Sequence, residues 1–256
     1  MSTTQISHDH HRYDGPVTDA RTPISLGTIL SIWAHPDDET YLAGGIMAHA
    51  RDLGQRVVCA SATAGEHGAT DPVEWPPARL GAVRRLEAAA AMAIVGVHEH
   101  RVSGFPDGGL AEHEATGRAW AGRLLDEVRP DTILTFGPDG ITYHPDHLAV
   151  HRWVTDAWNE RGRRAWLLYA TSSVEHLARF RERYEEWGMY MSDERPTGTP
   201  AADLAVHLEL QGPALDRKLA ALRAMATQTG ELVDRIGLDT YAEQVADEAF
   251  VAAGFS

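Results

Sequence analysis

The sequence predicts an α/β protein: one domain, with a Rossmann-like, mostly parallel sheet and helices on both faces. Two observations carry this expectation. Short apolar stretches of strand length alternate with longer helix-patterned ones, at the spacing of βαβ units. The 256 residues also fit one α/β domain, with no internal repeat and no long linker to divide them.

Residues 28–34 read as a short buried strand, with Ile29, Leu30, Ile32 and Trp33. A helix over about residues 40–53 follows, and Gly54 is placed to end it. Residues 56–63 form a second strand, rich in β-branched side chains. Residues 79–95 are an Ala-rich helix ending at Gly96, and residues 98–102 a third strand. Residues 117–128 are helical and stop before Pro130, after which 131–136 repeat the pattern of the first strand. A helix starts at Pro145 and runs to about Asn159. Residues 166–171 and 204–210 complete the strands, and 213–227 form a helix with proline in its first turn. Residues 192–201 hold Pro196, Gly198 and Pro200 and read as a loop. Residues 1–25 are expected to be a mobile tail ahead of a domain spanning 26–256.

Composition narrows the partners. A formal net charge of −14 opposes a phosphate-binding surface, so nucleic acid is not expected as a partner. The most apolar run, residues 88–97, is too short for a membrane span. The N-terminus carries His8, His10 and His11 where a signal peptide would carry an apolar stretch. The single cysteine, Cys59, sits in an apolar run and reads as a small buried hydrophobe. A chain that avoids disulfides fits a cytoplasmic setting. The expected partner is a small molecule.

In open parallel sheets, ligands bind beyond the carboxyl ends of the strands. Two clusters fall there. His35-Pro36-Asp37-Asp38-Glu39 follows the first strand; Gly137-Pro138-Asp139-Gly140 and then His144-Pro145-Asp146-His147 follow the strand at 131–136. Either run alone also reads as a helix start, acidic in one case and proline-led in the other. Together they offer complementary metal ligands. A catalytic zinc site takes about three protein ligands and keeps one position for water. His35, Asp38 and His147 supply two imidazoles and a carboxylate. Asp37 and Asp38, adjacent on a tight turn, can point apart, one to the metal and the other to the open position. A metal lowers the pKa of its water to about 7, and a nearby carboxylate takes the proton. His144 then stands over the substrate, where as an imidazolium it would hold an oxyanion or protonate the leaving nitrogen. Asp146 is placed to keep a histidine charged. These residue types alone do not select one ligand set, and iron(II) or another divalent ion suits them as well.

The runs Ala34 to Glu39 and His144 to His147 resemble the two signature motifs of the LmbE-like and PIG-L-like N-acetylglucosaminyl deacetylases. That family includes the mycothiol- and bacillithiol-pathway deacetylases. The resemblance implies Zn2+ on His35, Asp38 and His147, Asp37 as general base, and His144 as acid or oxyanion stabiliser. Weaker similarity extends from about residue 28 to 252. It takes in Thr63-Ala64-Gly65-Glu66, Arg84 with Glu87, Asp107 in Gly104-Phe105-Pro106-Asp107-Gly108, and Lys218, Gln228 and Glu248-Ala249-Phe250. By resemblance, Arg84 and Asp107 hold substrate hydroxyls, and Glu66, in a matching loop, is a further substrate-contacting candidate; Tyr143, beside His144, either reaches the active site as another or simply narrows it. Two departures bear on the substrate: Met225 stands where many members have His, and Tyr143 stands where Gly is common.

The implied reaction is zinc-dependent hydrolysis of an N-acyl amide, expected to be N-acetyl, on an amino sugar such as a GlcNAc derivative. Self-association is implied by resemblance alone. Two alternatives are carried. One is a zinc amidase acting on a non-sugar or thiol-conjugate amide; the apolar tunnel that a long acyl chain needs is not visible in the sequence. The other is a non-catalytic sugar- or metal-binding protein, which has no need of both Asp37 and His144. His151 is read as a packing histidine, since a fourth protein ligand would close the site to water.

Overall fold

The computed structural model describes residues 25–68 and 71–254. The tail expected over 1–25 therefore lies, apart from Ser25, outside the described residues.

The first half is a run of βα units: β1 (Ile29–Trp33), α1 (Asp38–Asp52), β2 (Val57–Ser61), α2 (Pro77–Val95) and β3 (Glu99–Val102). A short 3-10 turn, Leu110–His113, leads into α3 (Glu114–Val128), β4 (Thr132–Phe136), α4 (Pro145–Glu160), β5 (Trp166–Thr171) and α5 (Val174–Trp187). The chain closes with β6 (Val206–Glu209), α6 (Gly212–Arg223), α7 (Ala226–Ile236), α8 (Leu238–Val245) and β7 (Asp247–Ala252). The helix expected over 213–227 is thus two helices, broken at Ala224 and Met225. Helix α8 and strand β7 were not expected from the sequence.

The seven strands form one sheet in the order β3-β2-β1-β4-β5-β7-β6. Strands β3, β2, β1, β4 and β5 pair in parallel, and β7 runs antiparallel to both β5 and β6. From β1 the chain first builds outward through β2 to β3, then returns and builds the other way through β4 to β5. The reversal leaves a crevice between the carboxyl ends of β1 and β4, where both histidine-carboxylate runs begin.

Every residue of β1, β2 and β4 is buried. Helices α1 and α2 pack with each other and with α6, while α3 packs on α4, so the sheet is covered on both faces. Each fully buried Ile, Leu or Phe contributes roughly 1.5–3 kcal/mol. Trp33 and Phe136, the last residues of β1 and β4, meet edge to face at 4.9 Å directly beneath the crevice. The floor of the site is therefore rigid core.

One polar contact ties the last strand to the helix that carries the site. Lys218 is the only lysine in the chain, and it is buried. Its Nζ lies 2.7 Å from Glu248 Oε1 and donates to the Tyr41 carbonyl at 2.7 Å. Glu248 also accepts from the backbone N–H groups of Gly45 and Ile46, at 2.6 and 2.8 Å. A buried ion pair overcomes its desolvation only when its remaining hydrogen-bonding capacity is largely met; here both Glu248 oxygens and two of the three Nζ donors have partners.

Candidate active site

The chain leaves β1 through His35 and turns sharply at Asp37, which has φ 124° and ψ −38° and caps α1. A non-glycine residue in such a conformation costs about 1–3 kcal/mol and persists only where its neighbours over-determine it. Here the Asp37 carbonyl accepts from Thr40 N and Tyr41 N, both at 2.9 Å, and its N–H donates to Glu39 Oε2 at 3.1 Å. The turn separates the two aspartates. Asp38 points to the imidazoles, its Oδ2 accepting from His35 N at 2.8 Å. The Asp37 carboxyl makes no side-chain hydrogen bond among the described residues and lines a cavity.

Three donor atoms converge at the crevice. His35 Nδ1 lies 3.3 Å from His147 Nε2 and 3.4 Å from Asp38 Oδ2, and His147 Nε2 lies 3.3 Å from Asp38 Oδ1. A tetrahedral ion with ligands at about 2.0–2.1 Å needs donors roughly 3.3–3.4 Å apart. The spacing is that of such edges, with Asp38 turning Oδ2 to His35 and Oδ1 to His147.

The far side of each ring is held so that the near nitrogen is free. His147 Nδ1 donates to the Gly140 carbonyl at 2.9 Å, which leaves Nε2 with its lone pair. Position 140 requires glycine: φ is 58°, and a Cβ would stand 2.7 Å from that of His147. His35 Nε2 donates to Asp107 Oδ1 at 3.1 Å and Asp146 Oδ2 at 3.3 Å, which leaves Nδ1 to the cluster. Such outward hydrogen bonds fix ring tautomer and orientation at metal sites. Phe136 stacks on the His147 ring at 4.1 Å and sets its plane. Burial works against a charged His35, yet Asp107, Asp146 and Asp38 raise its pKa well above the ordinary histidine value. Burial also opposes a charged Asp38, but His147 and His35 hold its carboxyl far below the usual range. The cluster thus favours a positive charge among these groups, which a divalent ion supplies. A second grouping, His35 with His144 and Asp146, fits a cation less well. Asp146 is already occupied, accepting from Gly108 N at 2.7 Å and Leu110 N at 3.0 Å.

His144 caps α4, its Nδ1 accepting from Asp146 N at 3.1 Å. That bond requires a lone pair on Nδ1, so the proton of the ring sits on Nε2. Burial, with His147 and His35 beside it, lowers the pKa of His144 to about 4. In the metal-free protein the ring is thus held toward its neutral form, with one N–H to donate, where the sequence predicts an imidazolium. Burial and the Asp38 carboxylate push Asp37 up to about 8, with Arg84 acting in the opposite direction. Burial likewise raises Glu39 to about 7, against the pull of the Asp37 N–H. Glu39 had no assigned role in the sequence, although it stands in the same run; the structure makes it the brace of the Asp37 turn.

Beside the donors opens a cavity of about 280 Å³, with Asp37, Asp38 and His147 on its wall.

Residues 30–158 match the family described as PIG-L, GlcNAc-PI de-N-acetylase. A relative from Saccharomonospora viridis, a 1D-myo-inositol 2-acetamido-2-deoxy-alpha-D-glucopyranoside deacetylase, is 33% identical over 228 residues, covering 78% of this chain and 84% of that protein. A deacetylase of the same name from Mycolicibacterium vanbaalenii is 32% identical, covering 78% and 80%. The chain belongs to the PIG-L family. Solved structures agree on the fold. The N,N'-diacetylchitobiose deacetylase from Pyrococcus horikoshii superposes with a TM-score of 0.63 at 19% identity, over 88% of this chain and 83% of that one. The A40926 pseudoaglycone deacetylase Dbv21 does so with a TM-score of 0.64 at 23% identity, over 89% and 97%.

Within this PIG-L fold the remaining candidates fall into place unevenly. Arg84 is buried, and it donates to the carbonyls of Gly65 at 2.7 Å and Gly68 at 3.3 Å. Glu66 accepts from Asp107 N at 3.0 Å, and Asp107 Oδ2 accepts from His67 N at 2.8 Å. These three residues, two of them expected to hold substrate hydroxyls and Glu66 to contact the substrate, spend most of their visible hydrogen bonds on the loops and on His35. Tyr143 is half-buried and in a left-handed conformation (φ 59°), outside the cavity wall. His151 Nδ1 donates to the Phe136 carbonyl at 2.9 Å and stands outside the donor cluster. Among the described residues no helix is long and apolar enough to cross a membrane.

Proposed function

We propose that this protein is a zinc-dependent hydrolase that removes the acetyl group from the nitrogen of an amino sugar of the GlcNAc type. The observation that carries the reading is the triangle of His35 Nδ1, Asp38 and His147 Nε2, with an uncommitted Asp37 carboxyl beside it. The acetamido-sugar substrates named for the relatives supply the substrate class.

His35, Asp38 and His147 would hold the ion. When bound, it supplies Lewis acidity to the amide carbonyl and acidifies a water. Asp37 takes a proton from the attacking water and returns it to the amide nitrogen as the C–N bond breaks. His144 Nε2–H donates to the carbonyl oxygen as that atom gains charge. A neutral donor suits this task, since it need not surrender a proton. Glu39 holds the Asp37 turn; Asp107 and Asp146 hold His35. Water and amide become acetate and a free amine.

The test is acetate release by the zinc-loaded full chain from a panel of N-acetylglucosamine derivatives, with zinc content measured in parallel for His147→Ala. Both proteins carry the same N-terminal histidines, so the difference in zinc reports the site. Release together with a loss of about one zinc per chain in the variant is expected. No release from any member of the panel would overturn the reading; equal zinc content would overturn the ligand assignment.

A further inference from the structure

The cavity is larger and more apolar than an acetyl group requires. At ~30 Å³ per water-sized group, 280 Å³ holds about nine such groups, and an acetyl methyl fills one. Its wall includes Tyr41 and Leu42 of α1, Ile141 of the loop after β4, Leu177 and Tyr184 of α5, and Val245 of α8. Several polar side chains on the wall are paired with protein neighbours: His176 Nε2 with Tyr184 OH at 2.6 Å, Glu248 with Lys218, Asp247 with His207. Ile141 reaches the wall from a left-handed backbone (φ 67°), a conformation costly for a β-branched residue. Thr142, Ser172 and Gln244 also line it, with Gln244 Oε1 unpartnered among the described residues, so the wall offers the several hydroxyls of a sugar ring few free partners. The polar loops at 63–68 and 103–109 lie across the donors on the opposite flank.

Resting on the proposed hydrolase reading, we propose that the cavity is an acyl pocket, and that the enzyme accepts, beyond acetyl, amino-sugar amides whose acyl chain has roughly six to ten carbons. Two groups extend from the amide, the acyl chain on the carbonyl carbon and the sugar on the nitrogen. With the carbonyl at the donors and the sugar toward the polar flank, the acyl chain enters the cavity past Asp38 and His147. The balance is that of the acetyl reaction: the water oxygen bonds to the carbonyl carbon, the C–N bond breaks and the nitrogen gains a proton. The products are a fatty carboxylate and the free amino sugar.

The experiment compares kcat/KM of the zinc-loaded full chain for N-acetyl-, N-butanoyl- and N-octanoylglucosamine, and for methyl and octyl glycosides of N-acetylglucosamine. Each methylene buried in the cavity is expected to raise kcat/KM about fourfold, giving at least about a hundredfold at octanoyl once about four of its six added methylenes are buried. Leu232→Trp, on the cavity wall, is expected to cut the octanoyl-to-acetyl ratio at least about tenfold; Leu232→Phe is the smaller intrusion if the first variant folds poorly. No gain with acyl length, or a gain that follows the glycoside chain instead, would overturn the acyl pocket. If no amide is cleaved, acetyl included, the hydrolase reading fails, and the pocket is then judged by calorimetry on Asp37→Asn. Tighter binding of N-octanoyl- than N-acetylglucosamine by at least about tenfold would sustain it, and equal binding would overturn it.

Discussion

The two flanks of the crevice are built differently. On the β2 and β3 side, Arg84, Glu66, His67 and Asp107 are charged or polar, and they bind one another's loops and His35. On the β5 and β7 side, Leu177, Tyr184 and Val245 leave an open volume. The polar flank holds the donor atoms in place and the apolar flank has room for a ligand. Residues that look like substrate contacts in sequence are therefore partly the frame of the His35, Asp38 and His147 cluster.

Each part of that comparison can be broken. The largest effect belongs to the seam between the flanks. Asp37→Asn should keep its zinc while kcat falls by roughly 10² to 10⁴, measured as acetate release; full activity would remove the base assignment. Next, Asp107→Asn should weaken zinc binding by roughly 10- to 100-fold through His35, with KM at saturating zinc little changed. A raised KM with intact zinc affinity would instead make Asp107 a direct substrate contact. Arg84→Met should release the Gly65–Gly68 loop and cost about 1–3 kcal/mol, read as a fall of several degrees in Tm. An unchanged Tm would show that the loop holds itself.

The remaining effect is electrostatic and concerns the metal-free protein. Asp37 is raised to about 8 when folded and titrates near 4 when unfolded. The folded chain therefore keeps a proton that the unfolded chain releases. This group's stabilising effect is full below about pH 4 and is lost as pH approaches 8. Asp37→Asn stays neutral throughout, so its Tm should exceed that of the wild type by a margin that widens from pH 5 to pH 8. A margin independent of pH would contradict the raised value, and added zinc should shrink it.

How much of this is legible in the sequence depends on whether the signal is local. Four of the five parallel strands, β1, β2, β4 and β5, are apolar runs bounded by helix-patterned stretches and visible on their own; β3 is Glu-His-Arg-Val, and only its place after Gly96 marks it. Both donor runs are contiguous, so their meeting follows from strand order alone. Strand β7 is not visible, because it opens with Asp247 and Glu248; Glu248 is tolerated in the core only because Lys218 and two backbone amides, far away in sequence, satisfy it. The break between α6 and α7 carries no glycine or proline to announce it. The cavity could not be read either, since its wall gathers residues from α1, α5, α8 and the loop after β4. The tautomers of His35 and His147 depend on Asp107, Asp146 and a backbone carbonyl, and no spacing rule supplies them.

The lone lysine has a use for the experimenter. Every other side-chain cation is arginine, so an amine-directed label has one side chain to find, and that amine is sealed between Glu248 and the Tyr41 carbonyl. Labelling at Lys218 thus times the moment when the last strand lets go of the helix bearing Asp38. The protein carries its own clock for the opening of its site.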